Sequence, residues 1–357
     1  MKFRLKLFIV VLFSTLSYSQ FSSLDVDMDA RSIAMGESFV ANPNGIATAD
    51  DNPATLIGNK GLTVNYNRRN LNPYFNNPGN KYYCTIGTSM ETSVGNFGIF
   101  IKRVRDDYHS FIGAECVIYP KQFFNYTAIL SYAKNIFQNF TVGVNLKTHS
   151  YKTELNNNPL NNTETNNPIL FDIGVLYRAN GFINSSDVKD KYNLGASLLN
   201  YGTDYKVKVH SIESSGQNYV ITKLPRLLKL GFAYEIDVKS KTETELFGFV
   251  FTGEYDYLLN SYRPDSQKDF WGAGFEATVM DILSLRIGGT AYPFYNYYGF
   301  KGDFSLRYGA GINLPFSLIA DNFPLHICFD YAVMITKDKD NSLDAFNVSI
   351  NYENPFF

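Results

Sequence analysis

From about residue 60 to the C-terminus, apolar residues recur at every second position in long runs, and this period constrains the chain more than any other feature. A two-residue period belongs to an extended strand with one apolar face; a helix would repeat its stripe every ~3.6 residues. Phe140, Val142, Val144 and Leu146 alternate with Thr141, Gly143, Asn145 and Lys147. Phe171, Ile173, Val175 and Tyr177 interleave with Asp172, Gly174 and Arg178, and Leu228, Leu230, Phe232, Tyr234 and Ile236 with Lys229, Gly231 and Glu235. Phe304, Leu306, Tyr308, Ala310, Ile312 and Leu314 repeat the pattern against Ser305, Arg307, Gly309, Gly311 and Asn313. Ile327, Phe329, Tyr331 and Val333 oppose His326, Cys328, Asp330 and Ala332. Ordinary strands average about 5–6 residues, whereas a tilted strand needs about 9–11 to cross a bilayer. The runs have the second length.

Candidate spans fall near 60–67, 80–89, 94–104, 124–134, 138–150, 168–179, 190–202, 227–238, 243–257, 267–279, 281–293, 303–314, 323–336 and 342–353. An even count of about fourteen fits a closed antiparallel transmembrane β-barrel, in which no strand edge is left unsatisfied in hydrocarbon. A soluble β-sandwich is the competing architecture, but its polar face would carry many more Lys and Glu. Charged residues are only 18% of the chain, and 26 Tyr and 30 Phe stand against one Trp. The stretch 110–119 is also strand-like. Counting it as a span would scramble the separation of short connectors (90–93, 135–137, 239–242 and 280) from long polar ones, so it is assigned to a loop. The loops 105–123, 151–167 and 203–226 are then expected outside the cell as a contact surface.

Lys2, Arg4 and Lys6 precede the apolar run Leu7–Leu16, and Ser17-Tyr18-Ser19 supplies the small-x-small pattern of a cleavage site. Residues 1–19 are therefore expected to be a removable secretory signal. Residues 60–357 are expected to form the barrel of the cell outer membrane, with lipid as its surroundings. Its last alternating run, Phe346, Val348, Ile350 and Tyr352, leads to Pro355-Phe356-Phe357. A terminal aromatic of this kind is the recognition signal of outer-membrane barrel assembly. Cys84, Cys116 and Cys328 are odd in number and widely spaced, which reads as free thiols in strands.

Residues 24–59, within the segment 20–59 that precedes the barrel, do not alternate. They contain Ala30-Arg31-Ser32-Ile33-Ala34-Met35-Gly36, then Val40-Ala41, then Asn52-Pro53-Ala54-Thr55-Leu56. This order resembles the N-terminus of FadL-like outer-membrane proteins, most closely the PorV/PorQ branch found in Bacteroidetes. Asp51 stands where the family commonly has an aromatic residue before the Asn. The resemblance implies a fourteen-stranded barrel with an N-terminal hatch folded inward. It places Asn52, Pro53 and Ala54 in the hatch turn and Arg31 and Gly36 in the hatch's first part.

The resemblance implies one of two non-enzymatic roles. One is a type IX secretion component that engages a translocon or handles cargo proteins, which is the expectation here. The alternative is a FadL-like channel for hydrophobic small molecules. The inferred inward charges Lys102, Lys147, Arg178, Glu254, Glu276, Arg286, Arg307 and Asp330 suit a plugged, salt-bridged lumen. Nucleic acid is not an expected partner, because a formal net charge of -2 offers no basic excess. No G-x-S-x-G elbow, H-E-x-x-H site or phosphate loop occurs. His109, His149, His210 and His326 are scattered, and the trio His326, Cys328 and Asp330 on one strand face reads as lumen lining. No cofactor, metal or catalytic residue is expected.

Overall fold

The computed structural model describes residues 24, 26–70, 81–112, 117–155, 163–164, 166–183, 185–209, 218–239, 245–260, 269–292, 303–318, 323–335 and 343–353. The signal segment 1–19 and the terminal Phe356 and Phe357 lie outside the described residues. Fourteen long strands follow one another: β1 (Leu62–Asn70), β2 (Lys81–Thr92), β3 (Gly95–Ile112), β4 (Val117–Phe137), β5 (Phe140–Leu155), β6 (Ile169–Asn180) and β7 (Val188–Gly202), then β8 (Leu227–Lys239), β9 (Glu245–Leu258), β10 (Asp269–Val279), β11 (Leu283–Tyr292), β12 (Asp303–Pro315), β13 (Leu325–Met334) and β14 (Leu343–Tyr352). Each pairs antiparallel with the next, and β1 closes on β14 from Leu62↔Tyr352 to Arg69↔Ala345. Closure removes the sheet edge that hydrocarbon could not satisfy.

The sidedness is the reverse of a soluble protein. On β5, Val144 and Leu146 are each 44% exposed while Asn145 and Lys147 between them are 2% and 1% exposed. Ile173 on β6 and Ile287 on β11 are each 50% exposed on the same outer wall. Such a continuous apolar exterior matches a lipid-facing surface, and the polar phase packs inward. Among the described residues no helix is long and apolar enough to cross a membrane.

The connectors differ from expectation at the long-loop end. Residues 105–112 and 117–123 extend β3 and β4 as one continuous ladder, with Ile112↔Val117 as its last pair. The hairpin therefore stands beyond the spanning part; the strand-like character of 110–119 is real but adds no span. In the other two expected loops, Thr163 and Glu164 pair with β5, and Tyr205–Val209 pairs with Asn218–Thr222. Backbone groups outside the barrel wall still need partners, and local hairpins supply them.

The N-terminal segment fills the lumen. Its described residues include the helix α1 (Ala30–Ala34) and the 3-10 turns Gly45–Ala47 and Pro53–Gly58. Asp29 caps α1 by accepting the Ser32 N–H at 3.0 Å. Ala30, Ile33 and Ala34 pack on Ala332, Met334 and Ala345 of one wall. Ile46, Ala49 and Leu56 pack on Phe100, Ile129 and Ala133 of another.

Candidate functional site: a plugged and ion-paired lumen

Asn52 organises the turn that faces β5 and β6. Pro53 favours an extended conformation in the residue before it, and Asn52 adopts φ -149, ψ 110. Its Oδ1 accepts the Ala54 N–H at 3.0 Å, while its Nδ2 donates to the Val40 carbonyl at 2.7 Å and to the Val175 carbonyl of β6 at 3.0 Å. One amide thus ties the turn to itself, to the first half of the hatch and to the wall. Pro53 and Ala54 rest directly on the wall backbone at Gly143, where a Cβ would lie 2.3 Å from both Pro53 C and Ala54 N. Gly36, with φ +74, makes an equally close approach, and a Cβ on Gly288 would meet its nitrogen at 2.4 Å. Gly98, Gly174, Gly195 and Gly272 also face the hatch. The sequence shows these glycines only as scattered strand positions; their common signal is that each lies in the inward phase of its strand.

Charge fixes the hatch more specifically than shape. Arg31 forks onto Glu276, Nη2 to Oε1 at 2.5 Å and Nε to Oε2 at 2.8 Å, and Arg286 bridges that carboxylate to Asp330 at 2.6 Å. Glu37 lies 3.0 Å from Arg69 and 2.7 Å from Arg307. Asp50 pairs with Lys102 and, at 2.6 Å, with Lys147, which reaches Asp172 at 2.7 Å. Asp51 lies 2.9 Å from Lys229, which also meets Glu254 at 3.0 Å and Asp256 at 2.9 Å. Glu254 in turn accepts the Val40 N–H at 2.8 Å. Four charged hatch residues therefore each meet an opposite charge on the wall. Buried charges are tolerable in this form because removal from water is offset by close pairing.

The hatch carboxylates respond to these neighbours in opposite directions. Burial alone would raise Glu37, but the guanidinium groups of Arg307 and Arg69 bring it down to about 2. Burial also opposes ionisation of Asp50, and Lys102 and Lys147 overcome it, holding the group below the usual carboxylate range. Asp29 is raised to about 6, first by burial and then by the negative charge of Asp330.

Seven of the eight expected inward charges, Lys102, Lys147, Glu254, Glu276, Arg286, Arg307 and Asp330, belong to this network. Arg178 does not. It sits near the short-turn end, donating to Asn135 Oδ1 at 3.3 Å. Sequence reasoning did not place Arg69, Asp172, Lys229 or Asp256 among the wall charges, nor give Glu37, Asp50 or Asp51 a charge partner. The strand residues lie in the inward phase, but the hatch residues have no period to mark them. His326, Cys328 and Asp330 share a face yet have separate partners: Glu353 at 3.8 Å, Asn313 at 3.2 Å and Arg286.

The ion-paired waist divides the lumen. Toward the long-loop end, Leu199, Leu227 and Leu258 form a buried apolar cluster, with Leu170 and Leu224 also buried there. Toward the short-turn end lies a cavity of about 470 Å³ whose lining includes Asn44, Lys60, Glu235, Asp237, Asp281 and Glu353. A buried apolar cluster, a charged waist and a polar vestibule follow in order.

Solved structures share this architecture. The deltaS2S3 mutant of TodX, a monoaromatic hydrocarbon channel, is 11% identical with a TM-score of 0.50, over 92% of this chain and 99% of that one. The toluene transporter TbuX of Ralstonia pickettii is 14% identical with a TM-score of 0.48, over 90% of this chain and 96% of that one. A FadL homologue of Pseudomonas aeruginosa is 12% identical with a TM-score of 0.48, over 91% and 98% of the two chains. The likeness to the TodX mutant is one of fold, a closed antiparallel β-barrel. No protein-family model matches this sequence, and no curated protein matches it. The expected PorV/PorQ assignment and the type IX secretion role find no support in these likenesses.

Proposed function

We propose that this chain is a hatch-gated outer-membrane channel for hydrophobic small molecules. In this reading residues 1–19 direct export and are removed, residues 20–59 are the hatch, and residues 60–357 are the barrel. The reading is carried by a buried apolar cluster at the long-loop end: inward-facing Leu227 and Leu258 lie one inward position beyond the paired Lys229 and Asp256, with Leu170 and Leu199 beside them. Unlike the apolar wall residues that the hatch covers, this inward leucine cluster offers an apolar solute a site to leave water. Passage onward requires the hatch to yield, since its side chains and backbone fill the waist. The solved neighbours of this fold include proteins described as toluene and monoaromatic hydrocarbon channels, and toluene is accordingly the first compound to test.

A reversible lock tests the gate. A Cβ on Gly309 would lie 2.7 Å from the Ala34 Cβ, and a disulfide spans about 3.8 Å between Cβ atoms, so the pair forms with about 1 Å of relaxation. Ala34→Cys/Gly309→Cys is made with Cys84, Cys116 and Cys328 replaced by Ser, and uptake of labelled toluene is followed in cells displaying the barrel. The expected result is uptake that falls several-fold on oxidation and recovers with reductant. Uptake equal to that of cells lacking the chain, from a folded barrel in the outer membrane, overturns the reading for toluene. Unchanged uptake together with impaired surface display of secreted proteins in a deletion strain would restore the secretion role.

A further inference from the structure

Two arginines stand on the outer wall instead of in the lumen. Arg68 follows Asn67 and precedes Arg69, both of which face inward; strand alternation therefore directs Arg68 outward. Arg103 stands in the outward phase of β3, next in line after Phe97, Ile99 and Ile101, which are exposed. The ladder sets the two in one row: Arg68 pairs with Cys84, and Cys84 pairs with Arg103. They are two strands apart, about 10 Å between backbones, with the small Cys84 side chain between them. Two long cationic side chains thus flank a shallow floor.

The row lies where the apolar wall ends. One row toward the short turns are Tyr66, Ile86 and Ile101, all exposed and apolar or aromatic. Continuing the Arg row around the barrel come Tyr126 and Ser150. Each arginine rests on a ring: the Arg68 Cζ is 4.8 Å from the centroid of Tyr82, and the Arg103 Cζ is 5.6 Å from that of Tyr126. Arg68 Nε also donates to Asn70 Oδ1 at 3.0 Å, and Asn70 passes a bond to Asp344 at 3.1 Å. Among the described residues no carboxylate lies within ion-pair distance of Arg68. Tyrosines at the limit of an apolar band mark the headgroup level of a bilayer. Both arginines are near the long-loop end, which in outer-membrane barrels is the external side.

We infer that Arg68 and Arg103 form a binding site on the outer wall for the phosphate of an outer-leaflet lipid, with Cys84 as its floor and Tyr82 and Tyr126 holding the guanidinium planes. Planar forks suit bidentate phosphate recognition, and a ring beneath each fork limits the freedom lost on binding. A lipid is the occupant because the row faces away from the lumen, at the level where headgroups meet the wall. The inference rests on outer-membrane placement and not on transport, so loss of lipid binding with uptake intact, or the reverse, separates the two proposals.

The test uses the full chain in detergent, titrated with diphosphorylated lipid A and read by native mass spectrometry, with phosphatidylcholine as the comparison lipid. The wild-type chain is expected to retain one lipid A selectively, and Arg68→Gln/Arg103→Gln to weaken retention by about a hundredfold, roughly tenfold per charge-assisted contact. Retention within twofold of wild type in the double variant overturns the inference. So does displacement of lipid A by equimolar inorganic phosphate, which would identify a free-anion site. Should the Gln variant fail to fold, Arg68→Lys/Arg103→Lys keeps the charge but not the fork, and unchanged retention in that variant is equally fatal.

Discussion

Replacing Asp50 by Asn should loosen the hatch without opening the wall. Asp50 belongs to the hatch and receives both Lys102 and Lys147. After the change Lys147 keeps Asp172 at 2.7 Å, while Lys102, 3% exposed, is left with the neutral Val26 carbonyl at 3.0 Å in place of a carboxylate. Removing one partner of a buried pair costs about 3–5 kcal/mol; the surviving Lys147–Asp172 pair argues for the lower end. About 3 kcal/mol is about a hundredfold in a local opening equilibrium. Hydrogen exchange by mass spectrometry should therefore show hatch amides near the 3-10 turns, such as Asn52 and Thr55, which bond to Thr48 and Asn52 carbonyls, exchanging about a hundredfold faster. Amides of β10 to β14 should be unaffected. The pH dependence has a definite sign. Because the folded-state Asp50 is depressed, its contribution is complete above the ordinary carboxylate range of about 4 and is lost only as pH falls well below it. Wild-type hatch protection should accordingly persist at pH 5. Hatch exchange within threefold of wild type in Asp50→Asn, or equal acceleration in the wall strands, would refute the view of Asp50 as a hatch-specific tie.

Asp29 predicts the opposite pH response: raised to about 6, it favours the folded hatch below about pH 4 and progressively less as pH rises through 6. Asp29→Asn keeps a capping oxygen and should slow exchange of the α1 amides most at pH 8, less at pH 5, and not at all below about pH 4. Gly143→Val places side-chain atoms where Pro53 and Ala54 now lie; the overpacking should cost about 1–3 kcal/mol and appear as raised conductance in planar bilayers, with the barrel still heat-modifiable on gels. Ile287→Arg puts a charge on the exposed outer wall and should destabilise the barrel by about 2–4 kcal/mol in vesicles if that position lies near the bilayer midplane. A neutral result in urea unfolding would place Ile287 outside the lipid.

The legibility of the chain follows the range of the interactions involved. All fourteen spans are visible in the sequence because alternation is a local property of each strand, set by which side chain meets lipid and which meets the lumen. Where two apolar residues are adjacent, the phase cannot be read. Leu170-Phe171, Leu198-Leu199 and Leu227-Leu228 are such pairs, and in each one member faces inward. At β6–β7 a bulge adds to the difficulty: Phe171 pairs with Tyr201 but Ile173 with Leu198, so Leu199 and Asn200 stand opposite Asp172. Asn200 has φ 62, and its N–H donates to Asp172 at 2.7 Å. The buried leucine cluster at the long-loop end is built from these ambiguous positions, and reading the lumen from its charges alone left it out.

The hatch was recognisable from Arg31, Gly36 and the Asn52-Pro53-Ala54 turn as a resemblance, but its partners were not. Asp50 meets Lys147, and Arg31 meets Glu276, only after the sheet has closed and brought the N-terminal segment to those strands. The sequence by itself determined the strand period, the strand count and the outward apolar face, because a pleated chain exposes successive side chains to opposite sides whatever its neighbours. Tertiary structure alone decided which inward charges are neutralised by the hatch, which glycines touch it, and where the lumen turns from polar to apolar. Those outcomes depend on three-dimensional proximity between residues that no local pattern relates.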